Sequence, residues 1–177
     1  MIEFKKIGSQ TYADFKSALT TLYLETFTKG LSAQHIISVD ASQKIDTFFR
    51  KGYGICGFSE HHLVATLIAI PPSFDNELPS DLVSKFKDTD SIYIAEVLVA
   101  DSHRGLGLGN RLFEAFESDL NASIRNVLLR VWDQNEVAFN LYKKQGFLPC
   151  GEIVQQKQKP VTLENFKMTK IYMFKSY

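Results

Sequence analysis

A mixed α/β fold, with helices on both faces of one central sheet of about six to seven strands, is what this 177-residue sequence predicts. Strand-like and helix-like segments alternate along the chain: strand, helices, three strands, helix, strand, helix, two strands. The segment "SIYIAEVLVA" is apolar at almost every position, the pattern of a strand covered on both faces. The composition is 45% hydrophobic and 23% charged, and a chain of this length can bury roughly 70% of its unfolded surface. A single domain over residues 1–177 is expected, since neither a linker nor a repeat interrupts the pattern.

Each element has a local reason. "IEFKKI" alternates apolar and polar residues, as a short edge strand does. From Thr11 to about Lys29, Phe15, Ala18, Leu19, Leu22, Tyr23 and Phe27 recur at helical spacing, and Gly30 stops the run. Ser32 offers a cap for further helix up to Phe49. "GYGICGFSEHHLVATLIAI" reads as a hairpin about a polar turn, ended by Pro71 and Pro72. Residues 73–89 form a polar stretch with one or two helical turns, suited to a loop over a site. After the strand "SIYIAEVLVA", a helix from about Gly107 to Asn121 carries Leu108, Leu112, Phe116 and Leu120 on one face. "NVLLRVW" is a strand, and "NEVAFNLYKKQG" is a helix closed by Gly146 in the left-handed region. "FLPCGEIVQ" and "FKMTKIYMFK" are the last strands, around a Lys/Gln-rich hairpin.

Charge and cysteine content narrow the function. Lys plus Arg equals Asp plus Glu at 20 each, which argues against a general nucleic-acid binder. Cys56 and Cys150 stand in no metal or redox spacing and read as reduced core thiols. His61 and His62 fall in a turn, and His35 and His103 lack ligand spacing, so no metal is expected. "MIEFKKIGSQ" has no signal-peptide core, and no stretch approaches ~18 apolar residues. The expected location is the cytoplasm, with no membrane partner.

The glycines of "DSHRGLGLGNRLFEAF" hold the chemistry. Gly105, Gly107 and Gly109 lie between a buried strand and a helix. Glycine serves where the backbone takes positive φ or where something approaches closer than a Cβ allows. The opening turn of a helix also offers unsatisfied N–H groups and a partial positive charge, which suits a phosphate. Arg104 adds a permanent charge, and His103 a donor. The segment lacks the Gly-Lys-Ser/Thr ending of a P-loop. A dinucleotide fingerprint fails at its third glycine, although Asp133 follows the next strand at a distance suited to a ribose. A glycine-rich turn that only lets helix and strand pack closely is the remaining reading.

"Arg104-Gly-Leu-Gly107-Leu-Gly109" resembles the Arg/Gln-x-x-Gly-x-Gly/Ala motif of the GNAT superfamily of acyl-CoA N-acyltransferases. Some thirty residues on, Asn135, Ala138, Leu141, Tyr142, Gly146 and Phe147 are similar to that family's second signature, Asn-x-x-Ala-x-x-Leu-Tyr-x-x-x-Gly-Phe. The resemblance is strongest over Ser91–Phe147. It implies a splayed strand pair that holds acyl-CoA. The backbone of Arg104, Gly105, Leu106, Gly107, Leu108, Gly109 and Asn110 would grip the pyrophosphate. Val97, Leu98 and Val99 would pair with pantetheine as an added strand does, and would supply an oxyanion donor. Asn135 would contact the pantetheine arm, or cap its helix.

Tyr142 takes the position of the family's general acid, which protonates the leaving thiolate. It also falls where a helix stop would press it against Phe147. Glu96, the one charge in its strand, is read as the base facing the acceptor amine, or as half of a structural ion pair. Val97 and Val99 share one face of the strand and Glu96 and Leu98 the other, unless a bulge intervenes. Tyr93 is an alternative holder of water.

The activity implied is transfer of an acetyl group from acetyl-CoA to an amine on a small molecule or peptide, by direct attack. A non-catalytic acyl-CoA-binding module is the alternative. Residues 21–40 and 73–89 are expected to wall the acceptor pocket. Glu25, Asp40, Asp75, Glu77 and Asp81 lean it toward a cationic acceptor such as a polyamine or aminoglycoside. The sequence leaves a homodimer open.

Overall fold

The seven strands are β1 (Ile2–Ile7), β2 (Tyr53–Ser59), β3 (His62–Ile70), β4 (Ser91–Val99), β5 (Asn126–Trp132), β6 (Leu148–Gln158) and β7 (Asn165–Ser176). They form one open sheet in the order β1-β2-β3-β4-β5-β7-β6, in a computed structural model that describes residues 1–30 and 32–177. Every neighbouring pair is antiparallel except β4 and β5. The helices are α1 (Lys16–Phe27), α2 (Ser38–Lys51), α3 (Ser80–Lys85), α4 (Leu108–Ser118) and α5 (Glu136–Lys144). Leu19, Leu22 and Tyr23 of α1, Ile45 and Phe49 of α2 and Leu82 of α3 join the core on one face of the sheet. Leu108, Leu112, Phe113 and Phe116 of α4 and Tyr142 of α5 fill the core on the other.

Three local expectations change. The run from Thr11 begins as a 3-10 turn, Tyr12–Phe15, and α1 itself ends at Phe27. Ser32 does not cap α2, which starts at Ser38 after Ile37. The intervening residues run irregularly, and the His35 N–H donates to the Gln158 carbonyl at 2.7 Å, a tertiary bond that competes with helix. The Lys/Gln-rich hairpin is shorter than expected, because Gln155–Gln158 continues β6 against Met168–Asn165 of β7. That extension carries Lys157 along the same sheet face as Ile153 and Gln155. The β2–β3 turn is a two-residue loop, Glu60-His61, with φ of 47° and 70° at its two positions, the hand that matches strand twist.

Two irregularities of β4 prepare a site. Its register against β3 slips: Ile68 faces Glu96 and Ala69 faces Ile94, which leaves Ala95 as the extra residue of a bulge. Ala95 and Glu96 therefore both line the same cleft, on the α1–α2 side. Its pairing to β5 stops early. Ser91–Ile94 pair with Asn126–Leu129, while beyond them β4 continues only against β3 and β5 only against β7. The two parallel strands part at their C-terminal ends, the end at which open α/β sheets bind ligands.

Candidate active site

Chain connectivity brings the mouth of this gap together. The turn after β4 leads into α4, and the turn after β5 leads into α5, so both helix N-termini stand at the open end. Between β4 and α4, Gly105 and Gly107 adopt φ of 76° and 73°, and a Cβ on either would meet nothing within 4 Å. No main-chain N–H from Gly105 to Asn110 donates a hydrogen bond of normal geometry among the described residues. The first turn of α4 carries no acidic residue. An outward-facing row of donors at the positive end of a helix is an anion cradle.

The side chains of this segment divide the work. Leu108 is buried and anchors α4, while Leu106 is exposed. Arg104 pairs with Asp101 at 2.9 Å on the surface. The Asn110 Oδ1 accepts from Gln145 Nε2 at 3.0 Å, which ties the start of α4 to the end of α5. Gly109 differs from the other two glycines. Its Cβ would stand 2.7 Å from Leu141 Cδ2, so its bareness lets α4 and α5 pack, and only its N–H is offered to the mouth.

Along the gap, the Ala100 N–H donates to the Val64 carbonyl at 2.8 Å. Antiparallel alternation then turns the main-chain groups of Leu98 toward β3, and those of Val97 and Val99 toward the gap. Leu98 thus departs from the expectation that put it beside its neighbours: its backbone belongs to the β3 ladder and its side chain to the α1–α2 core. Asn135 caps α5, its side chain accepting from the Ala138 N–H at 3.2 Å, and its amide NH2 has no hydrogen-bond partner among the described residues.

Tyr142 stands on the α4–α5 side. The Phe147 N–H donates to the Tyr142 carbonyl and the Gly146 N–H to that of Lys143, the paired bonds of a Schellman stop. Its ring packs edge-on to Phe113 and against Phe147, with centroids 5.8 and 6.3 Å apart. Its hydroxyl has no hydrogen-bond partner among the described residues, yet it is not sealed from solvent. Burial, and secondarily the charge of Glu96, raise its pKa and keep it protonated.

Glu96 faces the other side, toward α2. Its cleft of about 450 Å³ is lined also by Lys44 of α2, Asp75 and Glu77 of the loop after β3, Tyr93 and Arg130. Glu96 makes no hydrogen bond or ion pair among the described residues, so it is not half of a structural pair. Burial raises its pKa even though Lys44, Lys170, Arg130 and Lys157 all pull it down. A second lobe of about 440 Å³ adjoins at Asp40 and Lys44, and runs past Tyr23, His35 and Lys157.

Arg130, which the sequence reading passed over, organises the floor. It binds Asp75 at 3.3 Å and Glu77 at 2.9 Å, and donates to the Tyr172 hydroxyl, which in turn donates to Asp75 at 2.7 Å. Burial alone would raise Glu77, but Arg130 holds its carboxyl below the usual range. The network clamps the loop after β3 against the sheet. Of the five acidic residues expected to attract a cation, Asp75 and Glu77 are thereby taken up, Glu25 and Asp81 lie outside both lobes, and Asp40 alone lines the cleft unpaired. The signal for Arg130 was in the sequence: it is the lone charge of "NVLLRVW", as Glu96 is of "YIAEVLVA".

Comparison with known proteins matches this arrangement. The chain superposes on the ribosomal-protein-alanine N-acetyltransferase of Brucella melitensis with a TM-score of 0.67 at 20% identity, over 100% of this chain and 99% of that one. A GNAT-family acetyltransferase of Streptococcus pneumoniae gives 0.66 at 17% identity, with both chains fully covered. An N-acetyltransferase of Staphylococcus aureus Mu50 gives 0.71 at 12% identity, over 99% and 98%. These likenesses establish the fold. Residues 16–147, most of the chain and all of the gap, match the acetyltransferase (GNAT) family. With both helix N-termini, the parted strands and the two signatures inside that match, this chain belongs to the GNAT family and is an acyl-CoA-dependent acetyltransferase.

Proposed function

We propose that the chain, acting as a single domain, moves an acetyl group from acetyl-CoA to a primary amine by direct attack in a ternary complex. The observation that carries this reading is the β4–β5 gap, with free main-chain donors at its mouth and Tyr142 and Glu96 on its two sides. The residues present fit such a donor: the unpartnered N–H groups from Gly105 to Asn110 match a diphosphate, and the free main chain of Val97 and Val99 matches the amides of pantetheine. When bound, acetyl-CoA supplies a thioester carbon open to attack.

The protein's own groups do the rest. A main-chain N–H of Val97 or Val99 holds the negative charge that develops on the thioester oxygen. Glu96, directly or through one water, takes the proton that an alkylammonium must lose before it attacks. Its raised pKa brings it nearer the operating pH, where a general base is most effective. Tyr142 gives a proton to the departing thiolate. Both cysteines are pushed up to about 11 by burial, so neither offers a thiolate at neutral pH, which favours direct attack over a covalent intermediate.

The test is thiol release from acetyl-CoA in the presence of a pooled amine library, with binding measured in parallel. Amine-dependent release supports the enzyme. Tight binding without release on any amine supports the alternative, an acyl-CoA-binding module. That module would need the glycine turn but neither Glu96 nor Tyr142.

A further inference from the structure

Lysines gather on the α1–α2 side of the sheet. Along β7, Lys170 shares its face with Tyr172, and along β6, Lys157 shares its face with Gln155. Arg130 on β5 and Glu96 on β4 face the same way, and Lys44 of α2 closes the cleft from above. Arg130 is consumed by Asp75 and Glu77. Lys44, Lys157 and Lys170 enter no ion pair among the described residues, and the Lys44 Nζ stands 5.6 Å from the centroid of the Phe48 ring. Asp40, one turn before Lys44 on α2, lines the same lobe, and Glu77 and Glu96 act on Lys157 from the adjoining one.

Lys44 is exposed, whereas Lys157 is half-buried and burial lowers its pKa, so an anionic ligand seated beside it would favour its charged form. The phosphates of the acyl donor are not that ligand, because their cradle lies at the N-terminus of α4, on the opposite face of the sheet. The lobe past His35 holds Lys44 and Lys157 against the one carboxylate of Asp40, so the second cation of a polyamine or aminoglycoside would meet like charge there.

Resting on the acetyl-transfer reading, we propose that the acceptor is a small amine that also carries a carboxylate, seated with its nitrogen at Glu96 and its carboxylate between Lys44 and Lys157. The two lobes share Asp40 and Lys44 in their walls, so they adjoin as one cleft. Glu96, whose pKa burial raises, takes the proton of the ammonium, and the neutral amine is the nucleophile. Transfer then forms the amide N–C bond and breaks the C–S bond; one proton leaves the nitrogen for Glu96 or water, and the thiolate takes one from Tyr142.

The test is acetylation of matched acceptors: the common α-amino acids, β-alanine and 4-aminobutyrate, each against its own carboxamide, with spermidine added. At least one carboxylate acceptor is expected to exceed its amide tenfold or more in kcat/KM. Lys44→Met and Lys157→Met should each raise the KM of that acceptor tenfold or more, while kcat and the KM for acetyl-CoA stay within about threefold and the amide's KM is unmoved. Lysines that served only the fold would instead lower Tm and shift all parameters together. Equal use of acid and amide, preference for spermidine, no turnover of any carboxylate, or lysine variants with an unchanged KM would each overturn the proposal. Amide or spermidine turnover would leave acetyl transfer standing and reject only the acceptor class; acetyl-CoA binding with no turnover of any amine would reject the acetyl-transfer reading itself.

Discussion

Gly107→Val tests whether the turn before α4 grips a diphosphate with its main chain. Gly107 sits at φ 73°, ψ 11°, in the left-handed region, with open space where a side chain would go. No clash opposes the valine, so the local cost is conformational: about 1–2 kcal/mol for an L residue there, and more with a branched Cβ. For a domain of this size each kcal/mol moves Tm by about 2–4 °C, so a fall of about 4–10 °C is expected, with the fold kept. Binding should suffer more. Hydrogen bonds to a charged group contribute about 1.5–3 kcal/mol each, and misaiming two N–H groups loses about 3–6 kcal/mol, or roughly 10²- to 10⁴-fold in Kd for CoA. Gly30→Val is the matched control, since Gly30 has φ 75°, equally open surroundings and no place in the donor turn. It should lose similar Tm and no CoA affinity. Calorimetric titration with CoA and a thermal melt on both variants decide the matter. A wild-type Kd for Gly107→Val, or an equal loss in Gly30→Val, would refute the assignment of the turn.

Tyr142→Phe keeps the ring contacts with Phe113 and Phe147, so Tm and the Kd for CoA should hold while kcat falls tenfold or more. Unchanged turnover would leave Tyr142 a packing residue only. Glu96 is held above the usual carboxylate range by burial, so the acidic limb of kcat/KM should lie above that range, where falling pH protonates the base. Glu96→Gln removes that titration and should flatten the limb and lower the plateau by about 10²–10⁴; a limb that persists would assign it elsewhere. Arg130→Met removes the cation from Asp75, whose side chain is 4% exposed, leaving it the Tyr172 hydroxyl and the Glu77 N–H as partners. A buried pair broken from one side costs about 3–5 kcal/mol, so Tm should drop by about 6–20 °C. A drop under about 2 °C would show that the loop after β3 is held by other contacts.

What was legible in the sequence was what short stretches of chain specify by themselves. The Schellman stop at Gly146, with Tyr142 against Phe147, follows from six consecutive residues. The opposed faces of Glu96 and Val97 follow from strand parity. The glycine turn and its helix follow from a motif, although the motif made three glycines look alike. Gly105 and Gly107 need left-handed backbone, whereas Gly109 answers to Leu141, thirty-two positions on in a different helix.

The sequence by itself determined the layered α/β arrangement, the left-handed glycine turn before α4 and the family, because each rests on local periodicity or on motifs closely spaced in the chain. Tertiary structure alone decided the bulge at Ala95, the early parting of β4 from β5, the commitment of Leu98 to β3, and the grouping of charges around Glu96. The cleft at Glu96 and its adjoining lobe draw Lys44, Glu96, Arg130 and Lys157 from three strands and a helix. Charges that meet only after the sheet has assembled leave no spacing to read: which carboxylates are neutralised, and which lysines stay unpaired, depends on distances through space that no interval along the chain encodes.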